Sequence, residues 1–150
     1  MIFVLLRHAH RDTSNRAADN GLSAKGKDQR RLLLEHFKSH FGKSKKVVLF
    51  SSPKKRCVET IQPIAEYLKA DVVLSDLLME GGARGELLKR ARRFFATPFK
   101  ADIVVICSHG DWLPVALHEL CGATADLKKG SWAEVHDGKL QSLLQPDDLG

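Results

Sequence analysis

The chain predicts an α/β fold: a three-layer sandwich with a mostly parallel central sheet, helices on both faces and an antiparallel hairpin at its C-terminal edge. Three observations carry this expectation. Ile2–Leu6, Val47–Phe50 and Ile103–Ile106 are short runs, rich in β-branched residues and apolar at every position, as in strands buried on both faces. Segments with helical spacing lie between them, and such strand–helix alternation leads to parallel pairing. The tail breaks the alternation with two extended segments around a turn.

Taken in order, Ile2–Leu6 is the first strand. Ser23 to Phe41 then sets Leu32, Leu33, His36, Phe37 and His40 at helical spacing. Val47–Phe50 follows as a strand, and Pro53 to Leu68 as a helix in which Pro63 predicts a kink. Val72–Leu74 is a shorter strand, and Glu86 to Phe95 a third helix. Ile103–Ile106 precedes a fourth helix, Trp112 to Leu120. In "SWAEVHDGKLQSLL", His136-Asp137-Gly138-Lys139 turns the chain back on itself. Without repeats, low-complexity tracts or a linker, residues 1–150 are expected to form a single domain.

Composition narrows the function. A hydrophobic share of 43% and a charged share of 28% belong to a soluble globular chain. The run Ile2–Leu6 is too short to cross a bilayer. It has neither a basic segment before it nor a small-residue cleavage site after it, so a cytoplasmic protein without membrane partners is expected. Cys57, Cys107 and Cys121 are odd in number and widely spaced, which reads as reduced structural thiols rather than disulfides or a zinc knuckle. None heads a cysteine-phosphatase loop, which needs a following arginine. The net charge of +6 favours anionic partners. Its basic clusters, Lys25 to Arg31, Lys43 to Lys46 and Lys89 to Arg93, lie on solvated segments without interleaved aromatics, so no nucleic-acid partner is expected.

Open α/β sheets bind ligands beyond the carboxyl ends of their strands. Arg7 and His8 follow the first strand; Ser51, Ser52 and, on the next helix, Arg56 follow the second; Ser108, His109, Gly110 and Asp111 follow the Ile103 strand. Two arginines and two histidines thus converge on one sheet edge. Guanidinium groups grip phosphate oxygens in a bidentate fork, and a neutral imidazole is a competent nucleophile towards phosphorus. Arg7 and Arg56 would keep His8 neutral, and its second ring nitrogen needs an acceptor to fix the tautomer. The leaving group needs an acid. Glu80, beside Gly81-Gly82, is one candidate and Asp111 the other, although Asp111 serves equally as N-cap of the following helix.

A rival reading begins in the same loop. His8-Ala9-His10-Arg11-Asp12 spells H-x-H-x-D, the spacing of a metallohydrolase loop. A catalytic zinc site usually needs a third protein ligand, and a two-metal site several more. His36 and His40 lie four apart on a helix without the H-E-x-x-H glutamate, and Arg7 and Arg56 would repel a cation. No metal and no cofactor are expected. A non-catalytic phospholigand-binding module is the other alternative.

Four segments resemble the histidine phosphatase superfamily, the phosphoglycerate-mutase-like proteins: "LLRHA", "GLSAKGKDQ", "SSPKKRCVET" and "CSHGDW", in that order. The resemblance runs over nearly the whole chain. It implies a phosphorylated nucleophile at His8, phosphoryl binding by Arg7, Arg56 and His109, and a proton donor at Glu80. Asn15 is similar to a substrate-side asparagine, displaced by one residue, and His10 stands where many members carry glutamate. With Ser52 and Asp111 these are the expected substrate-side residues. The chain lacks the long cap insertions of the family's sugar-phosphate enzymes. It looks most like the compact SixA-type phosphohistidine phosphatases, which implies a phosphorylated protein as substrate, with a small phosphomonoester next.

Overall fold

Alternation along the apolar runs decides the layers. A computed structural model describes residues 1–149. In β1 (Ile2–Arg7), Val4 and Leu6 enter one core with Leu33, Phe37, Ile61 and Ile64. Leu5 enters the other with Phe94, Trp112 and Leu113. α1 (Ala24–His40) and α2 (Lys55–Leu68) therefore cover one face, and α3 (Arg84–Phe95) and α4 (Trp112–Cys121) the other. β4 (Ile103–Ser108) is buried at all six positions and alternates between the same two cores, as a strand covered on both faces must.

With β2 (Val47–Ser51), β3 (Val72–Leu74), β5 (Trp132–His136) and β6 (Lys139–Leu144), the sheet runs β3-β2-β4-β1-β5-β6. The first four strands in that order are parallel; β5 joins β1 antiparallel and closes a hairpin with β6. Asp137 and Gly138, with φ of 48° and 80°, form its two-residue turn, the left-handed pair that suits the twist of a hairpin. This is the α/β architecture the sequence predicts. A short α5 (Pro146–Leu149) follows.

The helix ends depart slightly from expectation, for local reasons. Ser23 is the N-cap of α1 rather than its first residue, its hydroxyl accepting the Gly26 N–H at 3.1 Å. α2 begins at Lys55, two residues later than the spacing suggests, and α3 at Arg84, two residues earlier. α2 continues through Pro63. A proline cannot donate to the carbonyl four residues back; that carbonyl, on Glu59, accepts from Arg30 Nη1 of α1 at 3.0 Å instead. Gly26 lets α1 approach the loop after β1, since a Cβ there would sit 2.0 Å from the His10 carbonyl oxygen.

Candidate active site

The register of three neighbouring strands assembles the site. Arg7 pairs with Ser108 and Ser51 with Cys107, so the residues after β1, β2 and β4 emerge at one level. The ladder extends one step further: His8 N–H donates to Ser108 O at 3.1 Å and Ser52 N–H to Cys107 O at 3.0 Å. His8, Ser52, Arg56 and His109 are all buried there.

His8 Nδ1 lies 2.9 Å from Ala9 O. Only a protonated Nδ1 can donate to that carbonyl, which leaves the Nε2 lone pair free. Burial pushes the His8 pKa down to about 3, and the charges of His109, Arg56 and Arg7 add to this against the Ala9 bond. The imidazole is therefore neutral at ordinary pH. Ala9 N–H donates to Thr60 Oγ1 at 2.9 Å, and the Thr60 hydroxyl donates to Arg56 O at 2.7 Å. Thr60 thereby ties the loop that carries His8 to the first turns of α2, which explains the threonine of the "SSPKKRCVET" segment.

Arg7 is seated from two sides. Its Nη1 donates to Leu127 O at 2.7 Å, and its guanidinium lies on Gly110, where a Cβ would come within 2.6 Å of Cζ. Arg56 Nη2 donates to Glu80 Oε1 and lies 3.4 Å from His109 Nδ1. The other nitrogen of His109 is 2.8 Å from Ser52 Oγ. Ser52 is fully buried and holds the His109 ring, so it acts behind the site rather than on its open side.

The two acid candidates occupy different places. Asp111 is the N-cap residue of α4, yet its side chain makes no cap bond and instead accepts the Gly81 N–H at 2.7 Å. Arg90 also grips this loop, donating to Met79 O at 3.0 Å and to Gly81 O at 2.7 Å. The anchored loop presents Glu80 to Arg56, with Oε2 3.5 Å from His109 Nδ1. Burial raises the Glu80 pKa. The Arg56 hydrogen bond and the charges of His109, Arg56 and His8 outweigh it, so the carboxyl rests below its ordinary range.

Arg7, His8, Arg56 and Glu80 line a cleft of about 250 Å³, together with Arg11, Thr13, Arg16 and Lys129, while His109 lies behind it against Arg56 and Ser52. No sequence pattern singles out the last four; Lys129 lies in a patternless loop far along the chain, with only its charge as a signal. His10 is not on the cleft: its ring is 2.7 Å from Ser23 Oγ and its N–H donates to Gln29 Oε1. Asp12 accepts the Ser14 N–H at 2.9 Å, so the H-x-H-x-D side chains turn to three different partners. Asn15, expected on the substrate side, instead accepts the Ala17 N–H at 3.1 Å in a local turn and does not line the cleft. Among the described residues, no three His, Cys, Asp or Glu side chains form a metal-holding group, and no helix is long and apolar enough to cross a membrane.

Two arginines and two histidines meet at the carboxyl edge of a parallel sheet, the edge at which such sheets bind ligands. Residues 3–96 match the family model of the histidine phosphatase superfamily (branch 1). The chain belongs to that superfamily. His109 lies beyond the matched segment and is joined to it by the β4 pairing. No curated protein matches the chain in sequence. Among solved structures it is similar to the protein histidine phosphatase SixA complexed with tungstate, at 17% identity and a TM-score of 0.76 over 100% of both chains. A mycobacterial glucosyl-3-phosphoglycerate phosphatase in complex with inorganic phosphate superposes at 16% identity and a TM-score of 0.74, over 99% of this chain and 98% of that one. A protein from Thermus thermophilus gives 22% identity and a TM-score of 0.68, over 97% of this chain and 99% of that one.

Proposed function

We propose that the chain hydrolyses phosphohistidine on a protein, or failing that a small phosphomonoester, through a covalent phosphohistidine intermediate at His8. The observation that carries this reading is the buried, neutral His8 with its Nδ1 bound to Ala9 O, facing a cleft whose other charges are mostly cationic. Nε2 attacks phosphorus; the N–P bond forms as the bond to the leaving group breaks, and Arg7 and Arg56 neutralise the phosphoryl oxygens. Water then attacks the phosphoenzyme, the N–P bond breaks, and phosphate leaves with His8 restored. Guanidinium groups carry the neutralisation, so no metal is required.

Glu80 is the acid for ester substrates. Without substrate it is paired with Arg56. A phosphoryl dianion that takes Arg56 removes the carboxylate's counter-ion and sets like charge beside it, and both changes raise its pKa towards the protonated form. Water attack later returns a proton to it. Imidazole leaving from phosphohistidine needs less protonation than an alkoxide. The Ser75–Ala83 connection carries only one short 3-10 turn, without room for an inserted cap, which suits a phosphorylated side chain on a protein surface.

His8→Ala, assayed with a chelator present, is expected to abolish turnover and the acid-labile phosphoenzyme, a loss of at least about 10⁴-fold. Turnover that survives in this variant, or that depends on added zinc, overturns the reading.

A further inference from the structure

A second depression of about 390 Å³ adjoins the reactive cleft and shares Arg7 and Lys129 with it. Its walls come from the start of α1, which supplies Lys25, and from the loop before β5, which supplies Lys128 and Lys129; among the described residues Asp147 of α5 is its one carboxylate. The loop is fixed rather than trailing. Lys128 N–H donates to Gln145 Oε1 at 3.0 Å, Ser131 N–H to Lys128 O at 3.0 Å, and Gly130 N–H to Arg7 O at 3.2 Å. His10, on the same wall, is held through its N–H by Gln29.

Charge is concentrated here beyond what one phosphoryl group needs. Seven lysines and arginines and two carboxylates line the two depressions. That excess of five nearly equals the net charge of +6 carried by the whole chain. Like charges held together disfavour the empty site and favour a ligand with matching negative charge. Lys129 registers the crowding: burial lowers its pKa, and Arg7, Arg11, Arg16 and Arg56 lower it further. A phosphoryl dianion on Arg7 and Arg56 leaves the three positive charges of Lys25, Lys128 and Lys129 beside the single described carboxylate of Asp147.

We infer that this groove is a second anion subsite, in which Lys25, Lys128 and Lys129 hold a carboxylate or phosphate of the substrate while its phosphoryl group lies at His8. The inference rests on the phosphatase reading for the placement of the reacting group. The substrate class is then a phosphorylated molecule with a second acidic group: an Asp or Glu side chain beside a phosphohistidine, or the second acid of a small phosphomonoester. Arg7, lining both depressions, bridges the two anions.

The test uses the double variant Lys25→Ala/Lys128→Ala. Both side chains are exposed and neither lines the reactive cleft. Calorimetric titration compares methylphosphonate with alkane bisphosphonates of increasing length. The wild-type chain is expected to bind the best bisphosphonate at least about tenfold more tightly than methylphosphonate, and the variant to lose that advantage while its methylphosphonate affinity changes less than about twofold. No advantage in the wild type, or equal weakening of both ligands as general electrostatic steering would give, overturns the subsite. Turnover then distinguishes the sources. Phosphohistidine peptides with acidic against neutral flanks form one arm, and phosphomonoesters with and without a second acid the other. A preference in either arm that the variant erases supports the subsite and names the source; a preference in neither overturns it. Bisphosphonate preference without any turnover would instead remove the phosphatase reading and leave the subsite standing.

Discussion

Glu80 and Glu134 are both carboxylates among imidazoles, and the contrast between them separates a site from a scaffold. Glu134, on β5, is buried and accepts from Trp132 Nε1 at 3.1 Å, with His40 Nε2 at 3.1 Å and His136 Nε2 also on its oxygens. His36 stacks on His40 with ring centroids 5.3 Å apart. That network closes on itself. Beside Glu80, Arg7 Nε and Arg56 Nε are buried without partners, as are Arg90 Nε and Trp112 Nε1, and the other charges lining the cleft are positive. Buried polar groups are normally satisfied, so the donors left over beside the cleft set this network apart from the closed one.

The widest test of this contrast after the loss of His8 is Arg56→Ala. It is expected to lower kcat by about 10²- to 10³-fold, as removal of a charge-stabilising donor does. A loss confined to KM would mean that Arg56 only gathers substrate. Next, Glu80→Gln should slow alkyl phosphate ester hydrolysis by about 10²-fold while phosphohistidine hydrolysis changes only several-fold. Equal losses on both substrates would remove Glu80 as leaving-group acid.

Glu134→Gln should show the smallest effect and the opposite kind. At neutral pH it is expected to cost about 1 kcal/mol of stability, with kcat preserved. Burial raises the Glu134 pKa, but the bonds from His40 and His136, the charge on His40 and the Trp132 bond bring it below its usual 4.5. A carboxylate with a depressed folded-state pKa contributes stability above the unfolded-state value and loses it as pH falls through the folded one. Denaturant curves of wild type and variant should therefore converge on the acid side of 4.5. A fall in kcat matching that of Arg56→Ala would erase the distinction between the two networks.

Much of the central site was legible because its chemistry sits at strand ends that local patterns mark. Arg7, His8 and His109 come at the ends of apolar runs and Arg56 in the first turn of the helix after another, and one rule about open sheets sends them to the same edge. Glu80 and Asp111 are both legible as candidates but not separable by local pattern, because the bond from Gly81 N–H to Asp111 runs across the fold. Arg11, Arg16 and Lys129 carry no local mark: charge in a loop has no period, and only tertiary packing aims it at the cleft. The pair His36 and His40, read for metal spacing, serves Trp132 and Glu134 instead. Their partners lie in a distant strand that local spacing says nothing about.

The position of β1 inside the sheet bears on how the protein comes into being. Ile2 pairs with Ile103 on one side and His136 on the other. On a ribosome, Arg7 and His8 emerge long before either flanking strand has been synthesised. Contacts so distant along the chain close late and slowly. Until they close, the Ile2–Leu6 run is an unpaired apolar edge of the kind that chaperones cover and aggregates recruit. Arg7 and His8 are thus laid down well before the strands that frame them, and their shared edge is assembled only once β4 and β5 have joined β1.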